Sequence, residues 1–270
     1  MNADQEPMHD TGEGAVVRLE RRDRIAVITL NRPAVRNAIN AALRRELRAA
    51  VVAAEADPEV DVVVLTGADP AFCAGLDLRD LGSRPTELID TDQDRGSTSP
   101  FPPRAKPLIG AVNGPAITGG FELALNCDFL VASERARFAD THARVGVMPG
   151  WGLTPLLTEA IGVRRARELS LSGNFLDADT ALGWGLVNHV VPHEQLMAVT
   201  LGLAADIAAN DQAGVRRMLA TYAEQEEGRT AGAWRLEGEA AKAFRAQVRF
   251  DPAEVERRRS RIIERGRTQL

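Results

Sequence analysis

The chain has 270 residues, enough for one large domain or a core with a smaller appended unit. A formal net charge of −5 leaves no basic surplus for a nucleic-acid backbone, although an anionic ligand needs only a local arginine cluster. Two cysteines, Cys73 and Cys127, are too few for a disulfide framework and lack neighbouring ligands for a metal site, and no run of about 20 apolar residues exists to cross a membrane.

Residues 1–13 are acidic and polar, without the order of a signal peptide, so the reading is a disordered tail on a cytoplasmic protein. Residues 15–19 and 25–30 cluster β-branched side chains on either side of a charged turn at 20–24, which predicts a hairpin that stops at Pro33. Residues 41–56 are alanine-rich with apolar positions at helical spacing, and Asn40 is placed to cap them. Residues 60–66 form a short apolar β-branched run, a buried strand, so the order is β-α-β.

Residues 82–104 break this rhythm with four prolines and many polar residues, and read either as a lid over a site or as a disordered loop. A buried strand follows at 107–112, then a helix opening at 121, strand pieces at 129–132 and 137–139, helices at 155–161, 166–172 and 178–182, and a strand at 187–191. From residue 194 onward the pattern is almost all amphipathic helix, ending in the charge run ERRRSRIIERGR, a solvated helix face. The composition changes near residue 200, which divides the chain into the tail 1–13, an α/β core 14–200 and a helical region 201–270.

Two segments, residues 62–81 and 107–125, share one design of strand, glycine-containing turn and helix start. The first N–H groups of a helix have no intrahelical partner and carry partial positive charge, and glycine removes the side chain that would screen them. Two such turns brought together could aim two donors at one oxygen, an oxyanion hole in which one donor is worth about 3–4 kcal/mol. Glycine at such junctions also serves packing alone. Neither turn carries the lysine of a P-loop or the glycine spacing of a dinucleotide fingerprint.

Five segments then resemble the crotonase family, the enoyl-coenzyme A hydratase/isomerase superfamily: NRPAVRNAIN (31–40), LTGADPAFCAGLDLRDL (65–81), AVNGPAITGGFELALNCDFLVAS (111–133), RFADTHARVGVMPGWGLTPLL (137–157) and ALGWGLVNHVV (181–191). The resemblance spans residues 15–200 and implies an α/β spiral of β-β-α units, with C-terminal helices that build a trimer or a dimer of trimers. It implies an acyl-coenzyme A thioester as substrate, and no cofactor beyond the coenzyme A that arrives with it. It implies Leu76 and Gly119 as the oxyanion donors, and Arg36, Ala38, Ala74, Asp77 and Leu78 along the coenzyme A moiety.

Glu122 matches a catalytic glutamate of the hydratases. From the residues alone, a helix-terminal glutamate stabilised by the dipole is the simpler reading. The second hydratase glutamate is replaced here by His142, which can move protons as acid or base or can be structural. Asp140, two residues earlier, would face the same way in an extended segment and orient it. Trp151 stands where the family carries a small residue, and either shapes the acyl pocket or packs beneath the loop. The implied activity is an enoyl-CoA hydratase, with an isomerase using Glu122 alone, or a non-catalytic acyl-CoA-binding protein, as alternatives. The related Clp-type protease fold would need a nucleophilic serine, and neither glycine turn supplies one.

Overall fold

The computed structural model describes residues 14–79, 99–247 and eight separate positions between Glu254 and Thr268. The tail 1–13 and positions 82–98 of the 82–104 loop lie outside the described residues.

β1 (Val17–Arg22) and β2 (Ile25–Leu30) pair antiparallel, Val17 opposite Leu30 and Arg22 opposite Ile25. The turn is therefore only Asp23-Arg24, and Glu20, Arg21 and Arg22 belong to the strand. β1 is the edge of the sheet with one face in solvent, where charged side chains are tolerated and discourage further pairing. α1 (Ala41–Ala56) starts as expected, with the Asn40 side chain accepting the Leu43 N–H at 2.8 Å.

β3 (Val62–Gly67), β4 (Leu108–Val112), β6 (Phe129–Ser133) and β9 (His189–Val191) extend the sheet in the order β1-β2-β3-β4-β6-β9, all parallel from β2 onward. β5 (Pro115–Ile117), β7 (Arg137–Ala139) and β8 (Leu176–Asp177) form a second sheet in that order. Each pass of the chain leaves one strand in each sheet, β4 then β5, β6 then β7. This is the α/β spiral of β-β-α turns that the resemblance implied.

The helices that follow are α2 (Gly119–Leu125), α3 (His142–Val145), α4 (Leu153–Ile161), α5 (Val163–Ser172), α6 (Ala178–Trp184), α7 (Leu196–Ala208) and α8 (Gln212–Gln247). Because β3 and β4 are buried along their whole length, both faces of the large sheet must be covered. Ile28, Leu65 and Val63 point into the main core with Leu43, Leu47, Phe121 and Phe138. Ile25, Val27, Val62, Val64 and Val131 point the other way, under Leu196 and Ala204 of α7. Residue 200, where the composition changes, thus falls inside the helix that closes this second face.

One buried side chain ties the segments that later flank the site. Asn37, fully buried with φ +55°, accepts the Arg32 N–H at 2.8 Å and donates to the carbonyls of Ala68 and Ala71 at 2.8 and 2.7 Å. It fastens the 32–39 turn to the loop after β3. Asn37→Ala leaves these partners buried without a bond and places alanine at a left-handed φ, so stability should fall by about 2–4 kcal/mol. Urea unfolding midpoints at constant m-value measure the loss.

Candidate active site

The two glycine turns lie against each other. Ile39 donates to the Gly75 carbonyl at 2.7 Å and accepts from the Asp77 N–H at 2.9 Å, a parallel bridge centred on Leu76. In that pattern the N–H of Leu76 itself points away from Ile39. Across from it, Cys73 accepts from Ile117 at 2.9 Å and donates to Pro115 at 3.0 Å, which draws the loop onto the start of α2. A Cβ on Gly75 would stand 2.6 Å from the Ile117 oxygen and 3.4 Å from the Gly119 nitrogen, and one on Gly120 would stand 2.1 Å from the Cys73 oxygen. Glycine is required there by the close approach of two backbones. Gly119 is the first residue of α2, so its N–H has no intrahelical partner. Among the described residues neither the Leu76 nor the Gly119 N–H has a protein acceptor.

Thr118, just before, takes the strained pair φ 54°, ψ −113°. It is held by its N–H on the Ala139 carbonyl at 2.8 Å and by a hydroxyl contact with Thr141. The start of α2 is thereby tied to the segment that carries His142.

Glu122, one turn into α2 and 3% exposed, is gripped through one oxygen by the Gly150 and Trp151 N–H groups at 3.1 and 2.7 Å. Its other oxygen is 3.4 Å from Nε2 of His142. The Nδ1 of His142 is 2.6 Å from Oδ1 of Asp140, which also accepts the His142 backbone N–H at 3.0 Å. Asp140 does orient the imidazole, but not through an extended segment. The chain turns at Thr141 and His142 is the first residue of α3, so one carboxylate oxygen takes both the backbone N–H of His142 and its ring nitrogen.

Burial alone would push the imidazole pKa down, yet the hydrogen bonds and charges of Asp140 and Glu122 more than reverse this, raising it to about 10. Burial opposes ionisation of Asp140 too, and the bonds from His142 and Ser170 outweigh it and hold its pKa below the usual range. The surroundings thus favour the protonated imidazole of His142 and the ionised carboxylate of Asp140. Such a set can take a proton at one end and give one from the middle.

Trp151 is held through both its backbone and its ring. Its N–H is on Glu122, its carbonyl accepts from Asn126 at 2.8 Å, and Arg44 lies 5.6 Å above its ring. The ring also stands 3.7 Å from where a Gly119 Cβ would be, with Ile39 at 3.3 Å. It packs, and it forms a wall beside the second N–H.

The five residues expected along coenzyme A fall on two adjoining segments: the Ala74 N–H donates to the Arg36 carbonyl at 3.0 Å, while Ala38 and Asp77 flank the Ile39 bridge. Arg36 is exposed, Ala74, Asp77 and Leu78 are half-buried and Ala38 is buried. The Asp77 carboxylate is already paired with Arg32 at 3.1 Å, so this stretch offers a ligand its backbone rather than that charge. A Ser-His-Asp chain does occur elsewhere, Ser133 to His193 to Asp69 with both contacts 3.1 Å, but the serine is fully buried and ties β6 to the loop after β3. Sequence reasoning missed Gly150 and Asn126. The spacing PGWG ahead of a helix was the available signal for a donor-rich turn.

The family model for enoyl-CoA hydratase/isomerase matches residues 20–258. The chain belongs to this family. It is 43% identical over 197 residues to a probable peroxisomal enoyl-CoA hydratase 1 of Arabidopsis thaliana, covering 72% of this chain and 73% of that one. The crystal structure of an enoyl-CoA hydratase from Mycobacterium tuberculosis superposes with a TM-score of 0.80 at 48% identity, over 86% of this chain and 99% of that one. A monofunctional enoyl-CoA isomerase from M. smegmatis is more distant, with a TM-score of 0.65 at 31% identity over 79% and 94% of the two chains. The crotonase resemblance and its fold are borne out, and the protein is an enzyme of the hydratase/isomerase type acting on acyl-CoA thioesters. Among the described residues no helix is long and apolar enough to cross a membrane.

The raised pKa of His142 has a consequence for stability. A group whose folded pKa lies above its unfolded value of 6.5 stabilises fully below 6.5 and loses that contribution as pH rises towards about 10. Denaturant midpoints of the wild type should therefore fall from pH 6.5 to 10 more steeply than those of His142→Gln. Parallel curves for the two proteins would contradict the imidazolium assignment.

Proposed function

We propose that this family member is an enoyl-CoA hydratase that adds water across the conjugated double bond of a 2-enoyl-CoA thioester. The observation that carries the reading is the contact between Glu122 and His142, with Glu122 on the helix that Gly119 opens, and with no protein acceptor among the described residues for the Leu76 and Gly119 N–H groups. The thioester oxygen is placed between the N–H groups of Leu76 and Gly119, which draws electron density from the double bond. Glu122 takes a proton from water as the water oxygen bonds the β carbon. The electron pair moves to the thioester oxygen as an enolate. The His142 imidazolium then gives its proton to the α carbon as the enolate collapses, with Asp140 holding the ring. Glu122 is left protonated and His142 neutral, and their 3.4 Å contact lets that proton return and reset the pair.

The coenzyme A moiety is assigned to Arg36, Ala38, Ala74, Asp77 and Leu78, whose two segments lead into the Leu76 turn. Trp151 bounds the acyl pocket beside Gly119. The scheme calls on no metal or redox group. Assembly with further copies, as a trimer or a dimer of trimers, is supported by Met218, Tyr222 and Leu236, apolar side chains that α8 leaves exposed. The free thiols of Cys73 and Cys127 suit a reducing compartment such as the cytoplasm.

The test is to mix purified protein with enoyl thioesters of graded chain length and follow the conjugated-thioester absorbance. Consumption is expected, with kcat lowered about 10²–10⁴-fold in both Glu122→Gln and His142→Ala. Wild type that consumes no conjugated thioester, but shifts the double bond of 3-enoyl thioesters unaffected by His142→Ala, would replace the hydratase reading with an isomerase.

A further inference from the structure

The turn that grips Glu122 has a second carboxylate on its other side. Glu237 lies on α8, 85 positions along the chain from Gly152, and is 5% exposed. One of its oxygens accepts the Gly152 N–H at 2.7 Å. The other accepts the N–H and the hydroxyl of Thr154, each at 2.6 Å. Trp234, on the same face of α8 one turn earlier, lies so close that a Cβ on Gly152 would meet its ring at 1.9 Å, and Gly152 has φ +84°. Two side chains of the C-terminal helix are thus seated on a turn whose geometry only glycine permits.

Four N–H groups of that turn are divided between two carboxylates. Gly150 and Trp151 donate to Glu122, while Gly152 and Thr154 donate to Glu237. The peptide plane joining Trp151 to Gly152 is pinned at both edges, its carbonyl by Asn126 and its N–H by Glu237. A peptide plane turns as one body, so releasing the N–H edge also loosens the donors next to it. The two carboxyls sense each other across the turn. Burial pushes the Glu237 pKa up, the bonds from Thr154 resist, and the charge of Glu122 adds to the rise.

We infer that Glu237 is a positioning residue for hydration: it fixes the 151–152 peptide and, through it, the N–H pair that aims the Glu122 carboxylate. This rests on the reading of Glu122 as the base. Glu237 reaches the reaction only through that turn, which holds Glu122 and sets Trp151 at the edge of the acyl pocket. The coenzyme A moiety, which carries most of the substrate's contacts in the proposed scheme, is assigned to the separate segments 36–38 and 74–78. Its loss should therefore slow turnover and leave substrate affinity in place.

The test compares wild type with Glu237→Gln, which keeps the shape but sets an NH₂ group against one of the turn's donors, and with Glu237→Ala. On an enoyl thioester kcat is expected to fall about tenfold in the glutamine variant and about a hundredfold in the alanine variant, with KM changed less than about threefold. Hydrogen–deuterium exchange of a peptide covering residues 147–157 should rise in both. Unchanged kcat overturns the inference, as does a rise in KM matching the fall in kcat, which marks a general structural loss. If the alanine variant does not fold, the isosteric glutamine variant decides. A wild type inactive on every thioester would remove the hydratase reading alone. The exchange measurement would then judge the contact by itself, and unchanged exchange would overturn it.

Discussion

The carbonyl oxygen of Cys73 sits where any side chain on residue 120 would have to begin, and a Cβ on Gly75 would stand 2.6 Å from the Ile117 oxygen. This approach of two backbones, with no side chain between them, is the constraint on which the rest depends. It brings the Gly75 turn, in the loop after β3, against the start of α2. The spiral makes the approach possible: one strand of each pass enters the large sheet and the next enters the small one, and the loop after β3 bridges at Cys73 to Ala116 of β5. Asn37 locks the outer turn, and the strained Thr118 backbone, held by Thr141 and Ala139, locks the inner one.

The buried charges follow the same economy of partners. Three ionisable groups at 3–5% exposure would be costly alone, yet every polar atom named in the trio has a hydrogen-bond or ion-pair partner. The raised pKa of His142 follows from its place between the two carboxyl groups. Replacing a glutamate by His142 therefore does not simply remove an acid. It sets an imidazole held by Asp140 against Glu122.

Much of this was legible in the sequence because the signals are local. Glycines at two strand–helix junctions, a capping asparagine before an alanine-rich helix, and Asp140 two residues from His142 are all read within a short window. The hairpin turn was drawn too wide because charge is a poor guide on an edge strand. The orientation of His142 was reached by the wrong geometry, since alternation was assumed where an aspartate-held turn forms. The grip on Glu122 was not legible. Backbone N–H groups carry no residue signature, and these come from 28 and 29 positions away. Glu237 was hidden for a different reason: α8 carries several glutamates, and only packing against the turn before α4 distinguishes this one.

The central claim is that the N–H groups of residues 76 and 119 share one carbonyl oxygen. A crystal structure of the protein with an unreactive acyl-thioester analogue tests it most directly. The account predicts the thioester oxygen within about 2.7–3.1 Å of both nitrogens, with the α and β carbons facing His142 and Glu122. An analogue bound with its carbonyl away from either nitrogen, or in another cavity, would contradict it.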